Sequence, residues 1–255
     1  MPLRAIGIII AFLLACTACQ QTAPPIGYAE SAPVVALRAQ LTQDLLLLLP
    51  PATRQLPQAQ TEAKRLADTA YKASAAIGRI NTPKRWPAWR NNDLVNSYGP
   101  NSLERGLCWH YQHDLYRELR RFPLTYFRIG CCVRDKGSTD HEHNGVYISA
   151  RNTPWPHAIV LDAWKKAGRL LTIYPSDFLG NGWSDRPETT EWLAGIYPVG
   201  HTYPIEHWAS VRSDTHWNIH YASFSAKGKA SAQGRRMYAN MQQGLKERNG
   251  NPINY

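Results

Sequence analysis

The stretch from Arg105 to Leu119, "RGLCWHYQHDLYREL", places Cys108 at the start of a predicted helix. Gly106 lets the backbone turn tightly just before that helix. The helix is predicted from about Cys108 to Phe122, because one face carries apolar side chains spaced four and three residues apart: Leu115, Leu119 and Phe122. A helix N-terminus favours an anion, since its unpaired N–H groups and its dipole are positive there. The stretch therefore predicts a thiol in a position that favours its reactive, deprotonated form.

A reactive thiol needs a base, and the base needs a group that orients it. Two later stretches with the pattern of strands supply both: in "EHNGVYISA" the predicted strand begins at His143, and "AIVLDAW" ends near Asp162. If the two strands are antiparallel neighbours, these side chains lie together at one end of a sheet. One ring nitrogen then donates to the carboxylate and the other faces the sulfur. His141 is the alternative base, and a turn cap is the alternative role of Asp162.

In this order, the pieces "GLCWHY", "EHNGVYI" and "VLDAW" resemble the three motifs of the transglutaminase-like branch of the papain-like cysteine enzymes. The resemblance covers about residues 90 to 175. It implies an α+β fold in which the nucleophile helix packs on an antiparallel sheet. It also implies that Cys108 is the nucleophile, His143 the general base and then acid, and Asp162 the orienting carboxylate. The chain departs from the family pattern at Asn144 and Gly145 and again at Trp164.

Acyl transfer through a tetrahedral intermediate also needs donors for the oxyanion. The backbone N–H of Cys108 or Trp109 is one expected source. Asn96, in "DLVNSYG", is the predicted side-chain donor. The alternative is that Asn96 caps or bonds locally, as asparagines near turns commonly do.

The first residues, "MPLRAIGIIIAFLLACTAC", predict an export signal. Arg4 supplies the positive start, and the apolar run from Ala5 to Leu14 is shorter than the roughly 20 residues of a membrane-spanning helix. "LLAC", ending at Cys16, resembles a bacterial lipobox, so Cys16 is the predicted lipidation site. Cys19 is a second candidate, and an ordinary cleaved signal is the alternative. Because no Asp follows the cysteine, the lipoprotein sorting rule predicts the periplasmic face of the outer membrane.

The remaining chain, about 235 residues, is long enough for one domain with a substantial core and appendages. After the signal and a tether, apolar periodicity predicts a helical hairpin that precedes the enzyme-like domain and a basic tail. The predicted divisions are 1–15 signal peptide, 16–31 tether, 32–82 helical hairpin, 83–225 transglutaminase-like domain and 226–255 basic tail.

Beyond the signal region the chain has three cysteines, an odd number for an oxidising compartment. Neighbouring strand residues point to opposite faces, so Cys131 and Cys132 cannot both reach Cys108. Either one bridge forms, or Cys108 is free for chemistry.

We expect an envelope-anchored cysteine hydrolase or acyltransferase that acts on an amide of a peptide, protein or cell-wall substrate without a cofactor. The formal charge of +10 favours anionic lipid headgroups or wall polymers over nucleic acid in that compartment. One alternative is a non-catalytic lipoprotein that binds peptide or glycan on a papain-like fold. Another is a metal site, for which the chain offers several histidines but no HExxH motif: His110, His113, His141, His143, His216 and His220.

Overall fold

The structure, a computed structural model, describes residues 22–81, 106–136, 142–153, 155–174 and 182–202. Five predictions lie outside these ranges: the signal peptide with Cys16 and Cys19, the donor Asn96, the alternative base His141, the candidate metal ligands His216 and His220, and the basic tail.

A helical region comes first in the chain, and a sheet follows it. After a short 3-10 turn, Tyr28–Glu30, the helices are α1 (Ala32–Leu47), α2 (Pro51–Arg54), α3 (Pro57–Asn81), α4 (Cys108–Leu119) and α5 (Pro187–Ile196). Prolines stand in the first turn of α1, α2 and α5, where a missing N–H has no cost. The strands are β1 (Phe127–Arg134), β2 (His143–Ala150), β3 (Ala158–Asp162), β4 (Leu171–Ile173) and β5 (Trp183–Asp185).

The five described strands form one sheet in the order β4-β3-β2-β1-β5, and every neighbouring pair is antiparallel. β5 returns across the sheet to pair with the free edge of β1, with Trp183 opposite Arg134. The prediction of an α+β fold with an antiparallel sheet is confirmed. Its finer form, a papain-like core, remains a prediction.

The two faces of the sheet carry different apolar clusters. Cys131, Val146 and Leu161 face the main core, which the helices cover. Cys132 and Tyr147 face the other side and pack with Trp183 in a smaller cluster. The adjacent cysteines therefore point to opposite faces, as the period of a strand requires.

The helical hairpin and the sheet share the main core. α1 packs on α3, and α3 packs on α4. At Gly78 of α3 the backbone meets the turn after β3 so closely that a Cβ there would lie 2.4 Å from the carbonyl oxygen of Ala167. Gly168 in that turn has a φ of 96°, and its carbonyl accepts a hydrogen bond from Ser74 at 2.9 Å. The turn that follows Asp162 is thus fixed against the hairpin.

Glu62 of α3 ties the hairpin to the first strand. Its carboxylate accepts three backbone N–H groups, from Thr125, Tyr126 and Phe127, at 2.8 to 3.0 Å. The first described residues also pack on the helices and the sheet, because Glu30 pairs with Arg38 and the guanidinium of Arg169 donates to the carbonyl of Thr22. Among the described residues, no helix is long and apolar enough to cross a membrane.

Candidate active site

Cys108 is the first residue of α4, at the end of a tightly turned segment. Gly106 has a φ of 141°, a conformation that L side chains rarely adopt. The Nδ1 atom of His110 accepts the backbone N–H groups of Gly106 and Leu107 at 3.1 and 3.0 Å. The start of the helix is therefore stabilised by a side chain from its own first turn. The Cys108 side chain lies at this N-terminus and is almost completely buried.

The strand register explains why His143 meets Asp162. Val146 pairs with Leu161, so alternation places His143, Gly145 and Asp162 on one face, with the histidine and the carboxylate as diagonal neighbours. The Nε2 atom of His143 lies 2.8 Å from the Oδ2 atom of Asp162, and both side chains are buried.

The second carboxylate oxygen of Asp162 fixes the carboxylate plane. Oδ1 accepts the backbone N–H groups of Trp164 and Lys165 at 2.9 and 3.0 Å. An ionised carboxylate only accepts hydrogen bonds, so Nε2 of His143 carries a proton and donates it. In a neutral imidazole the opposite nitrogen, Nδ1, then holds a lone pair. That is the arrangement of a base.

The charges of this pair support each other. Burial acts most strongly and opposes a charged imidazole, but the charge and hydrogen bond of Asp162, followed by those of Cys108, raise the pKa of His143 to about 10. For Asp162, burial again opposes the charge. The positive charge and hydrogen bond of His143, with the two backbone N–H groups, nevertheless hold its carboxyl pKa below the usual value. The carboxylate of Asp162 thus stabilises the imidazolium that forms when His143 accepts a proton.

The Cys108 sulfur has two polar neighbours from the start of β2. The amide Nδ2 of Asn144 donates to Sγ at 3.3 Å, and the backbone carbonyl of Glu142 lies 3.8 Å from it. On its other side, the amide Oδ1 of Asn144 accepts from Nη1 of Arg186 at 2.6 Å. The same guanidinium nitrogen pairs with the carboxylate of Glu142 at 3.2 Å.

Two indole rings enclose the imidazole. The ring centroids of Trp164 and Trp183 lie 4.9 and 5.5 Å from that of His143. Gly145 leaves room for Trp183, because a Cβ at this position would lie 3.1 Å from the indole. Trp164 also donates its indole N–H to the carbonyl of Gly106 at 2.9 Å. One side chain thus connects the turn before the cysteine with the turn after the carboxylate.

The three described cysteines are all free thiols. Burial, the largest influence, raises the pKa of Cys131 to about 12 and that of Cys132 well above its usual value. Both therefore stay protonated. Of the two outcomes that the sequence left open, the structure has a free Cys108 rather than a bridge.

The structure pairs His143 with Asp162 and places Cys108 near enough to His143 to raise the pKa of its ring, while Asn96 and His141 lie outside the described residues. Sequence reasoning missed Asn144 and Arg186. Asn144 was visible as the departure from the family pattern directly after the histidine. Arg186 gave no signal, because its contact with Asn144 spans 42 residues of chain.

Within the ranges that the structure describes, no three His, Cys, Asp or Glu side chains are grouped so that they could hold a metal ion. Comparison of the chain with protein-family models, curated proteins and solved structures gave no match.

Proposed function

We propose that the protein is a cysteine hydrolase or acyltransferase that cleaves an amide bond through Cys108, His143 and Asp162. One observation carries this proposal. Nε2 of His143 is held by Asp162 at 2.8 Å, which leaves Nδ1, and Cys108 contributes to the raised pKa of that same ring. Nucleophile, base and orienting carboxylate thus interact in the sequence that nucleophilic catalysis requires.

The chemistry follows from these positions. The Cys108 thiol passes its proton to Nδ1 of His143, and a sulfur lone pair forms a bond to the carbonyl carbon while the π pair moves onto oxygen. When the tetrahedral intermediate collapses, the C–N bond breaks and the leaving amine takes the proton from the imidazolium. Water or a second amine then attacks the thioester. His143 accepts the attacker's proton and returns it to the sulfur as the S–C bond breaks.

The family proposal is a papain-like core of the transglutaminase-like branch. Its support is the chain order, in which the helix that begins at Cys108 precedes the His143 strand and the Asp162 strand beside it. The cellular proposal is an exported lipoprotein with its lipid on Cys16, held at the periplasmic face of the outer membrane. Its support is the sequence of the first residues, so a peptide, a protein or a cell-wall amide is the proposed substrate class.

The test uses labelling and turnover together. A thiol-directed covalent probe should modify Cys108 in the parent chain, and Cys108→Ala should lose both this label and the release of amine from a panel of peptides and cell-wall fragments. His143→Ala should keep the thiol but lose turnover. Turnover that persists in Cys108→Ala, with its fold intact by circular dichroism, would refute the proposal.

The second candidate is a non-catalytic module that binds peptide or glycan. It is favoured by the burial of the site, since Cys108 is only 4% exposed. This reading expects that Cys108→Ala retains binding to a peptide or glycan ligand while the parent chain turns over none of the panel. Loss of turnover in Cys108→Ala from an active parent excludes it.

A further inference from the structure

The orientation of the Asn144 amide is determined by its neighbours. A guanidinium has only hydrogen-bond donors, so the atom of Asn144 that lies 2.6 Å from Nη1 of Arg186 is the amide oxygen. The NH₂ group must then point the other way, where the Cys108 sulfur lies at 3.3 Å. Arg186 thereby selects which end of the amide faces the sulfur.

Asn144 and Arg186 both lie in the protein interior. Asn144 is 2% exposed and Arg186 is 1% exposed, and Glu142 compensates the guanidinium charge at 3.2 Å. Because hydrogen bonds in a low-dielectric interior polarise one another, donation from Arg186 strengthens Asn144 as a donor. The Asn144 amide thus presents a fixed N–H donor to the Cys108 sulfur, and such a donor favours negative charge on sulfur.

We infer that Asn144 is a catalytic residue that stabilises the Cys108 thiolate by hydrogen-bond donation, and that Arg186 is the positioning residue that orients it. As a catalytic role, this rests on the proposed cysteine-enzyme function. When the thiol proton moves to Nδ1 of His143, the charge left on sulfur accepts the Asn144 N–H. Another lone pair of the same sulfur then attacks the carbonyl carbon, so the donor acts on the reacting atom.

Other groups also act on this sulfur. The N-terminus of α4 favours its negative charge, and the His143–Asp162 pair supplies a positive and a negative charge. Glu142 presents its backbone carbonyl to the sulfur and its carboxylate to Arg186. Removing Asn144 leaves all of these in place, so the variant isolates one donor.

The experiment measures the rate at which dithiodipyridine, a small neutral disulfide, modifies Cys108 between pH 5 and pH 10. Mass spectrometry of the peptide that carries Cys108 separates it from the other cysteines. Loss of a hydrogen bond to an ionised group should raise the pH midpoint in Asn144→Ala by about one unit, a tenfold change in the thiolate equilibrium. A less stabilised thiolate is also more nucleophilic, with a Brønsted slope of about 0.5.

The rate profiles of parent and Asn144→Ala should therefore cross. Below the midpoints the variant should react about threefold more slowly, and above them about threefold faster. A purely structural loosening of the site would increase access and raise the rate at every pH without moving the midpoint. An unchanged midpoint in Asn144→Ala overturns the inference.

A matched control removes another buried amide. Asn81 is 1% exposed and donates to Asp114 at 3.0 Å, away from the sulfur. Asn81→Ala should keep the parent midpoint. A shift equal to that of Asn144→Ala would assign the effect to general loss of packing and overturn the inference.

The role of Arg186 is tested with Arg186→Lys, which keeps the buried charge opposite Glu142 but loses the fork geometry. The midpoint should rise in Arg186→Lys alone and should not rise further when this change is added to Asn144→Ala. A further rise in the double variant would show that Arg186 does not act through Asn144.

The labelling measurements use no substrate, so the role of Asn144 and the proposed enzyme function can be refuted independently of each other. A raised midpoint in Asn144→Ala without turnover in the parent supports the donor and refutes the enzyme. Turnover in the parent with an unmoved midpoint supports the enzyme and refutes the donor.

Discussion

Replacing Asp162 by Asn is expected to flatten the pH dependence of folding stability near neutral pH. The change is made in a chain that also carries Cys108→Ala, so that the thiol does not titrate beside the imidazole. Asn is isosteric and can still accept the N–H groups of Trp164 and Lys165 through its oxygen. Its NH₂ group then faces Nε2 of His143, where the carboxylate had accepted a hydrogen bond.

The magnitude follows from proton linkage. The pKa of His143 is raised from 6.5 to about 10, so the folded protein keeps a proton that the unfolded chain releases above pH 6.5. The stabilisation is complete below that pH and is lost as pH rises toward 10, with a limiting slope of about 1.4 kcal/mol per pH unit. Between pH 7 and pH 8.5 the Cys108→Ala chain should therefore lose at most about 2 kcal/mol through this residue, because Cys108 also contributes to the raised pKa of the parent chain.

The assay is urea denaturation followed by tryptophan fluorescence at several pH values in that interval. Buried Cys131 and Cys132 add a slope of the same sign at the alkaline end, since their pKa values are raised, but both chains contain them. The difference between the two chains thus reports the His143–Asp162 pair. Equal slopes with and without the carboxylate would refute the assignment of the raised pKa to Asp162.

Three further predictions concern the scaffold. Gly78→Ala should lower the free energy of unfolding by about 3 kcal/mol in urea denaturation, because the new Cβ meets the backbone of Ala167, which has no room to move aside. Glu62→Gln should cost about 1 to 2 kcal/mol in the same assay, because a neutral amide cannot replace a carboxylate that accepts three N–H groups. Under native conditions at pH 8, iodoacetamide should leave Cys131 and Cys132 unmodified, and both should react in urea, as read by peptide mass spectrometry.

Each of these has a control or a contrary result. Lys64→Ala removes an exposed ion pair from the same helix as Glu62 and should change stability by less than about 0.5 kcal/mol. If it costs as much as Glu62→Gln, the three N–H contacts are not the reason. Gly195→Ala adds a Cβ where no atom lies within 4 Å, so a loss as large as that of Gly78→Ala would contradict the packing argument. Native labelling of either buried cysteine would show that its strand opens.

The parts of the fold that the sequence predicted are those with local signals. The glycine before Cys108, the apolar face of α4 and the alternation of β2 are each contained within about a dozen residues, so periodicity reveals them. The antiparallel pairing of β2 and β3 was a condition of the site prediction rather than a result of a local pattern, and the structure has this pairing, which brings His143 to Asp162.

The parts that were missed depend on distant contacts. β5 has three residues, too few for alternation to be recognised, and its position beside β1 is decided by packing around Trp183. No sequence pattern predicted the helix α5, although Pro187 stands in its first turn. The environment of the Cys108 sulfur likewise depends on Arg186. This residue directly follows β5, so it reaches Asn144 of β2 only after β5 has paired with β1.

The contact between Gly78 and Gly168 gives the hairpin a part in the proposed chemistry although the hairpin carries none of the proposed reacting groups. Because neither glycine has a side chain, the two backbones pack closely, and this packing fixes the position of the turn whose N–H groups bind Asp162. Any shortened version of this protein that begins after the hairpin would leave that turn without its support. A search for minimal active fragments should therefore start at the first helix rather than at the cysteine.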